Sequence, residues 1–301
     1  MNGMNVSKSD PSRVLEALAS GLEALTPETR KAATYVLENP NDVGVSSIRE
    51  IADAANVKPN TLVRMARSVG FDGYDDFREP FRQEIRRGNL NFTDRARWLQ
   101  SLSQSGQLGG LYADMAQSAI RNIEETFAAS DAAAMKAAAD AIVEARQTFV
   151  LGVGVNNANV RNFAYVADMA AYNVWAIPRP GGVASDDLSR AGAGDVLVAI
   201  TCKPYRAEVV EAVELAREQG VTIIGISDSP ASPLIIGSEH GFVVSADTPQ
   251  FFPSSVSTLA LLETLMAFVI ADAPKDVIAR IENFHARRHR LGIYIDEGGR
   301  S

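Results

Sequence analysis

The stretch SSIREIADAANVKPNTLVRMARSVGFDGY, residues 46–74, predicts two short helices joined by a tight turn. Ser47 followed three residues later by Glu50 is a capping box, which marks the start of the first helix. Asn56 ends that helix, because asparagine tolerates the left-handed backbone conformation. Pro59 suits the first turn of a second helix, where its missing amide costs nothing. We therefore expect a helix-turn-helix in this stretch.

The second helix of this hairpin has an apolar face and a polar, basic face. The polar face carries no carboxylate between Lys58 and Ser68. Asparagine can pair with adenine, arginine with guanine, and threonine or serine with phosphates and base edges. The alternative is an ordinary helical hairpin with a solvated polar face. The predicted contacts to double-stranded DNA are made by Lys58, Asn60, Thr61, Arg64, Arg67 and Ser68.

Length and charge limit the class of protein. The chain has 301 residues, which favours two domains, and a formal net charge of -8, which argues against broad coating of nucleic acid. Any DNA binding must then be local. One cysteine excludes an internal disulfide framework, and the N-terminus shows no charged-then-apolar signal. The longest apolar run, residues 256–273, is interrupted by polar residues, so we expect a buried helix and a cytoplasmic protein without a membrane partner.

The hairpin lies within a helical N-terminal region. Helical patterns precede it, and the helix that follows it has a basic side made of Arg78, Arg82, Arg86 and Arg87. Residues 100–110, QSLSQSGQLGG, have linker composition. We expect a helix-turn-helix DNA-binding domain at residues 1–90, a helical linker at 91–130, a second domain at 131–290 and a tail at 291–301.

From residue 147 the pattern changes to short apolar runs that alternate with helical patterns. Such alternation predicts a five-stranded parallel sheet with helices on both faces and ligands at the carboxyl ends of the strands. The fold class is thus an all-α domain followed by an α/β domain. The predicted strands are 148–151, 174–177, 196–200, 221–226 and 242–244, and the predicted helices from residue 111 onward are 111–128, 132–145, 158–171, 207–219, 254–270 and 275–290.

Three loops of the α/β domain carry candidate ligand-binding residues. The loop GVGVNN, residues 152–157, leads into a helix whose free amides favour an anion, although a purely structural tight turn is the alternative. The loop TCKPYRAE, residues 201–208, offers cations for phosphate or carboxylate, unless these are ordinary surface cations. Serines in FFPSSVS, residues 251–257, can cap a helix or bind a ligand. The candidates are Asn156, Asn157, Thr201, Lys203, Tyr205, Arg206, Ser254 and Ser255.

Signals for catalysis or metal binding are weak. Cys202 has cations nearby that could lower its pKa, although a small residue at a strand end is the simpler interpretation. His285 and His289 stand one helical turn apart with Glu282 on the same side, but a solvated face among arginines is more typical. We predict no catalytic residue, no metal and no cofactor.

The two halves together resemble the RpiR family of bacterial transcriptional regulators, named for a ribose phosphate isomerase repressor. The resemblance rests on LTPETRKAATYVLENP and SIREIADAANVKPNTLVRMARSVGFDGYDDFR in the first half, and on GVGVNN, DVLVAIT, VTIIGISDSPASPL and SSVSTLALLETL in the second. It implies a winged or simple helix-turn-helix joined to a flavodoxin-like sugar isomerase (SIS) domain. That domain, at 131–290, would bind a phosphorylated sugar and dimerise.

Three parts of the sequence depart from the family pattern. Asn156 stands where a serine is common, and residues 201–206 replace the Ser-x-Ser-Gly-x-Thr loop of SIS domains. Pro204 takes the place of the glycine and removes an amide from a phosphate-binding nest. Lys58 replaces the usual serine cap of the second helix, which loses a cap of about 1 kcal/mol but adds a charge suited to phosphate.

The resemblance implies a regulator that binds operator DNA as a homodimer or homotetramer and responds to a small anionic effector, a sugar phosphate or related sugar acid. One alternative is a sugar phosphate isomerase, but no acid or base other than Glu208 is evident at the strand ends. Another alternative is a DNA-binding regulator whose SIS domain only dimerises. We expect a regulator and not an enzyme.

Overall fold

A computed structural model of the chain describes residues 10–86, 92–104 and 106–294. These residues divide into two compact units. The helical unit contains the described residues up to Ala119 together with the segment Asp247–Ser254, and the sheet unit contains Ile120–Ala246 and the described residues from Ser255 onward. The domain boundaries at residues 90, 130 and 290 stay a prediction, and Arg87 and residues 295–301 of the predicted tail lie outside the described residues.

The helical unit is built around one apolar core and a smaller one. The helices of this unit are α1 (Pro11–Ser20), α2 (Pro27–Glu38), α3 (Pro40–Val45), α4 (Ile48–Ala54), α5 (Pro59–Ser68), α6 (Tyr74–Arg86), α7 (Phe92–Gln104) and the first part of α8 (Leu108–Ala128). The larger core contains side chains from α1 to α6, and the smaller one is formed by Val45, Trp98 and Leu102.

The sheet unit alternates strands and helices as the sequence predicts. It opens with the last part of α8, from Ile120 onward. Its other elements are α9 (Ala132–Glu144), β1 (Gln147–Leu151), α10 (Asn156–Met169), β2 (Val174–Ile177), α11 (Ala184–Leu188), β3 (Asp195–Ile200), α12 (Ala207–Glu218), β4 (Thr222–Ser227), β5 (His240–Val243), α13 (Val256–Ala271) and α14 (Lys275–Arg290).

The sheet is parallel throughout, with the strand order β2-β1-β3-β4-β5. Successive residues of β3 face opposite sides, because side chains alternate along a strand. Val198 lies in a core with α9, α10 and α13, whereas Leu197 lies in a second core with α11 and α12. The sheet is therefore covered by helices on both faces, and the predicted fold class is confirmed.

The sequence patterns do not predict α3 or α11. Both helices are short, with six residues in α3 and five in α11, too few to show a helical period. The linker composition of residues 100–110 does not prevent helix formation, because residues 100–104 belong to α7 and residues 108–110 to α8. Ser101 fits inside α7 because its hydroxyl donates to the Trp98 carbonyl at 2.7 Å.

The most apolar helix of the sheet unit is α13, and its buried residues include Leu261, Leu265 and Val269. Among the described helices, none alone is long and apolar enough to cross a membrane. Only α13 and α14 taken together, with a bend of 117° between them, meet that test.

Candidate functional site

The hairpin of α4 and α5 forms as its sequence predicts. The Ser47 amide donates to the Glu50 carboxylate at 2.6 Å, and the Glu50 amide donates to the Ser47 hydroxyl at 3.3 Å, so the capping box is complete. Asn56 has φ 51°, the left-handed conformation expected at the end of α4. Pro59 then occupies the first turn of α5, and Leu62 is fully buried beneath it.

The outer face of α5 presents most of the predicted DNA-contacting residues to solvent. Five of the six are exposed, namely Lys58, Asn60, Arg64, Arg67 and Ser68. Thr61 is the exception, since it is only 3% exposed. It lies one turn before Met65 on the buried side of the helix, so the prediction that Thr61 lies on the DNA-facing surface is wrong. Its hydroxyl accepts a hydrogen bond from the Arg64 guanidinium at 3.3 Å.

Hydrogen bonds within the helical unit already use some donors of this face. Arg67 donates through Nε to the Asp72 carbonyl at 3.1 Å, and the Ser68 hydroxyl donates to the Met65 carbonyl at 2.6 Å. Lys58 occupies the N-cap position of α5 without a side-chain cap bond, which leaves its ammonium in solvent. Lys58, Asn60 and Arg64 are therefore the side chains best placed to meet a nucleic acid.

Arg78 of α6 contacts the backbone that leads into the hairpin, a role that the sequence patterns do not predict. It is 7% exposed, so it is not part of an exposed basic side of α6. Its guanidinium donates to the Ser46 carbonyl at 2.8 Å and to the Gly44 carbonyl at 3.4 Å. Burial is the main cause that lowers its pKa. These bonds fix the backbone directly before the capping box.

The sheet unit places its candidate ligand loops where parallel α/β folds bind ligands. β1 and β3 are neighbours in the middle of the sheet, and the chain leaves them towards helices on opposite faces. A crevice at the carboxyl ends of two such strands is the usual binding position in open α/β sheets. The loops 152–157 and 201–206 follow these two strands and lie at this edge.

The loop after β1 is shaped by close packing. A Cβ atom at Gly152 would lie 2.8 Å from Cγ1 of Val160 and 3.0 Å from the Asn156 carbonyl oxygen, so only glycine fits there. Gly154 has φ +60°, which favours glycine for a different reason. The glycine pair is thus explained by the turn into α10, which favours the structural interpretation of these two residues.

Asn156 and Asn157 point to different partners at the start of α10. Asn156 is 9% exposed, and its side-chain oxygen accepts from Asn159 at 3.5 Å. Asn157 donates to the Gly152 carbonyl at 3.4 Å and accepts from Nε of Arg161 at 2.8 Å. Both amides therefore bind within their own loop and helix.

The loop after β3 brings Arg206 across to the loop after β1. The Arg206 amide donates to the hydroxyl of Thr201, which is 2% exposed, at 3.2 Å. The Arg206 guanidinium reaches to 3.9 Å from the position a Cβ atom would take on Gly154. It also donates to Oε1 of Glu208 at 2.6 Å from Nη2 and at 3.1 Å from Nε. The Arg206 side chain therefore lies beside the loop after β1.

Lys203, Tyr205 and Cys202 complete this loop. Lys203 is exposed, and within the described part of the chain it has no hydrogen bond or ion pair, while Tyr205 is half-buried. Burial raises the pKa of Cys202 to about 12, with the Asp228 carboxylate acting in the same direction. The suggestion that nearby cations lower its pKa is therefore wrong, which favours the interpretation of Cys202 as a small residue at a strand end.

Ser254 and Ser255 precede α13. Ser255 occupies the N-cap position, but its side chain makes no cap hydrogen bond, so capping does not explain it. By its contacts, Ser254 belongs to the helical unit and Ser255 to the sheet unit. Residues 10–86, 92–104 and 106–294 contain no group of three or more side chains placed to bind a metal ion. The pair His285 and His289 therefore has no third ligand from the described residues.

Two protein-family models match the chain. A helix-turn-helix domain of the rpiR family matches residues 12–88, and an SIS domain matches residues 141–271. The HTH-type transcriptional regulator HexR of Pseudomonas aeruginosa is 26% identical over 262 residues, which are 84% of this chain and 87% of HexR. An uncharacterised HTH-type transcriptional regulator of Caldanaerobacter subterraneus is 24% identical over 279 residues, 90% of this chain and 95% of that protein.

Solved structures share the fold of the chain or of its second half. The NanR protein of Vibrio vulnificus, solved in complex with ManNAc-6P, has a TM-score of 0.55 at 23% identity and covers 92% of this chain and 98% of its own. The sugar isomerase domain of an RpiR transcription factor from Sphaerobacter thermophilus has a TM-score of 0.55 at 21% identity over 58% of this chain. The helix-turn-helix and SIS domains are thus both present, and the chain belongs to the RpiR family of transcriptional regulators.

Proposed function

We propose that this protein binds operator DNA through α5 and is controlled by a small anionic effector in its SIS domain. The observation that carries the proposal is the outer face of α5, where Asn60 and Arg64 are exposed beside Lys58 without an intervening carboxylate. Asparagine and arginine read adenine and guanine edges in the major groove, and a lysine ammonium binds phosphate. We place the protein in the cytoplasm, where such DNA is found.

The proposed effector is a sugar phosphate or a related sugar acid. Lys203 and Arg206 supply two cations at the carboxyl edge of the sheet. Both lie in the loop that follows β3, the strand next to β1. The NanR neighbour was solved with ManNAc-6P, which supports a phosphorylated ligand in this fold. Pro204 removes one backbone donor from the loop, so side-chain cations must contribute more of the binding energy.

The regulator acts as a homodimer or homotetramer in this proposal. Two recognition helices about 34 Å apart, one turn of DNA, would read a pseudopalindromic site. Exposed apolar side chains along α8 support self-association, since Leu108 is 51%, Tyr112 82% and Ile120 59% exposed. Light scattering of wild type and of Tyr112→Glu tests this surface, and an unchanged dimer in the variant would remove α8 from the interface.

DNA binding is tested with fragments that the full chain selects from a random-sequence pool. Arg64→Ala should weaken binding by about 1–3 kcal/mol and relax the choice of base at one position. Lys58→Ala should weaken binding equally on all sequences and reduce the salt slope by about 1. Arg13→Ala, which changes an exposed arginine on α1, is the matched control. Selection of no preferred sequence at moderate salt would contradict the proposal.

Effector binding is tested by thermal unfolding with inorganic phosphate, ManNAc-6P and sugar acids. A ligand at about a hundred times its dissociation constant should stabilise the protein by about 3 kcal/mol. Lys203→Ala should reduce this shift, whereas Lys275→Ala, another exposed lysine, should not. If no anion stabilises the protein and Lys203→Ala and Arg206→Ala leave regulation intact, the SIS domain only dimerises.

An isomerase activity is not part of the proposal. Isomerisation needs a positioned base near the substrate carbons. Glu208, which the sequence offers for that role, accepts two hydrogen bonds from Arg206 and lies in the first turn of α12. An assay on sugar phosphates that showed turnover lost in Glu208→Gln would reverse this conclusion.

A further inference from the structure

The segment Asp247–Ser254, which we call the strap, connects β5 to α13 along the chain but makes its contacts in the helical unit. At its start, the Ser118 hydroxyl donates to the Asp247 carbonyl at 2.9 Å. Near its end, the ring of Phe252 packs 4.9 Å from that of Phe92, at the first residue of α7. The strap ends at Ser254, and the residue that follows it is Ser255; both serines are predicted effector contacts.

Arg95 of α7 holds the strap near its start, at its second residue. It is 3% exposed, and its Nη2 donates to the carbonyl of Thr248, which is also 3% exposed. Its Nε is buried without a hydrogen-bond partner among the described residues. Burial lowers the pKa of Arg95, and the nearby Asp247 carboxylate opposes that shift.

Stability alone does not explain a buried arginine at this position. Removing a charge from water costs several kcal/mol, and apolar residues of similar volume often serve stability equally well or better. A guanidinium does what an apolar side chain cannot, because its rigid planar donors fix the position of an acceptor. The acceptor here is a backbone carbonyl in the strap, six residues before Ser254.

The helix α7, which holds the strap through Arg95, also packs against the residue that leads into the α4–α5 hairpin. Trp98 and Leu102 of α7 form a small core with Val45, the last residue of α3. Ser46 follows directly, and its carbonyl is held by Arg78 at 2.8 Å. The capping box that begins α4 starts at the next residue. The helix α7 thus contacts the strap near its N-terminal end and, further along, the residue Val45 that leads into the hairpin.

We propose that Arg95 is a positioning residue that sets the placement of the strap, and through it of Ser254 and Ser255, and so couples effector binding to the α4–α5 hairpin. The inference rests on the proposed function, since it requires both DNA binding and an effector. Coupling of this kind must be reciprocal, so DNA bound at α5 also changes the strap.

The test uses the full chain and three variants. Arg95→Met keeps most of the volume without the donors, and Arg95→Lys keeps the charge without the planar fork. Arg97→Met makes the same change two residues along α7, at a side chain that is 65% exposed and pairs with Asp94 at 3.2 Å. The readouts are amide hydrogen exchange, affinity for the selected DNA, and the change in that affinity caused by inorganic phosphate or ManNAc-6P.

We expect Arg95→Met to speed exchange in residues 248–258 at least tenfold, while residues 98–104 stay protected. Its affinity for the selected DNA should be within threefold of wild type, but inorganic phosphate or ManNAc-6P should change that affinity much less than in wild type. Arg95→Lys should restore part of that effect, and Arg97→Met should match wild type. The proposal also predicts that bound DNA changes the exchange of residues 248–258 in wild type but not in Arg95→Met.

Unchanged exchange in residues 248–258 of Arg95→Met would overturn the proposal, whatever the ligand. If Arg95→Met exchanges faster in residues 248–258 but inorganic phosphate or ManNAc-6P still changes its DNA affinity as in wild type, the coupling is overturned. Arg95 would then hold the strap without linking effector binding to DNA binding. If wild type binds the selected DNA but no anion changes that binding, the effector proposal fails, and the DNA-induced change in exchange decides the role of Arg95. If wild type selects no DNA, both proposals fall.

Discussion

The outer face of α5 and the effector loops after β1 and β3 differ in how far their polar groups are already engaged. On α5, Asn60, Arg64 and Lys58 are exposed and lie on a helix whose opposite face is buried. In the effector loops, Thr201 holds the Arg206 amide and Arg206 is paired with Glu208. The proposed DNA-binding face is therefore exposed in the unbound protein, whereas an anion bound at the proposed effector loops would have to replace bonds that these loops make with themselves.

The largest effect should come from the core beneath α5. Leu62→Ala should destabilise the helical unit by about 2–5 kcal/mol, because Leu62 is fully buried. DNA binding should weaken with it, as measured by chemical unfolding and gel shift. Asn60→Ala, two residues away on the exposed face, should weaken DNA binding without loss of stability. If Leu62→Ala left DNA binding unchanged, the face would not depend on the helix that presents it.

The corresponding test of the loop after β1 is a substitution in the turn into α10. Gly152→Ala should destabilise the sheet unit by about 1–3 kcal/mol, because the added Cβ atom meets Val160 at 2.8 Å and the backbone of Asn156 at 3.0 Å. Urea unfolding measures the change. Gly154→Ala is the control, since its Cβ atom would have space up to 3.9 Å and only φ +60° opposes it. A smaller effect at Gly152 than at Gly154 would contradict the packing argument.

These differences explain how much the sequence could predict. The capping box, Asn56 and Pro59 act through neighbours a few residues away, so the hairpin could be read directly from its sequence. Thr61 and Arg78 could not, because their burial depends on which helices pack against them. The contact of Arg95 with Thr248 joins residues 153 positions apart, and no local pattern carries that information. Burial of Cys202 likewise reversed the expected direction of its pKa shift.

A smaller effect concerns the charge of the capping box. Hydrogen bonds from Ser47, first from its amide, lower the pKa of Glu50 in the folded protein. A lowered pKa adds stability above the unfolded pKa of the carboxyl group, and that stability is lost as the pH falls through the folded pKa. Ser47→Ala should cost about 1 kcal/mol at neutral pH.

Glu50→Gln separates the charge from the cap. Glutamine can make the same capping-box bond to the Ser47 amide, but it does not titrate. Its stability relative to wild type should therefore rise as the pH falls, as followed by urea unfolding of both proteins across the acidic range. Parallel stability curves for the two proteins would show that the Glu50 charge contributes nothing to the hairpin.

The smallest effect bears most directly on the contrast between the two sites. Glu208 and Arg206 form an exposed ion pair, and such pairs contribute about 0.2–1 kcal/mol. An effector anion that binds Arg206 must displace this carboxylate, so Glu208→Gln should tighten binding of phosphate or ManNAc-6P by up to about fivefold, the same energy expressed as affinity. Calorimetry on wild type and variant measures the change, and Glu211→Gln, an exposed glutamate one turn further along α12, is the control. Weaker binding in Glu208→Gln would mean that the carboxylate holds Arg206 ready for the ligand, and the effector loops would then be as fully prepared as the face of α5.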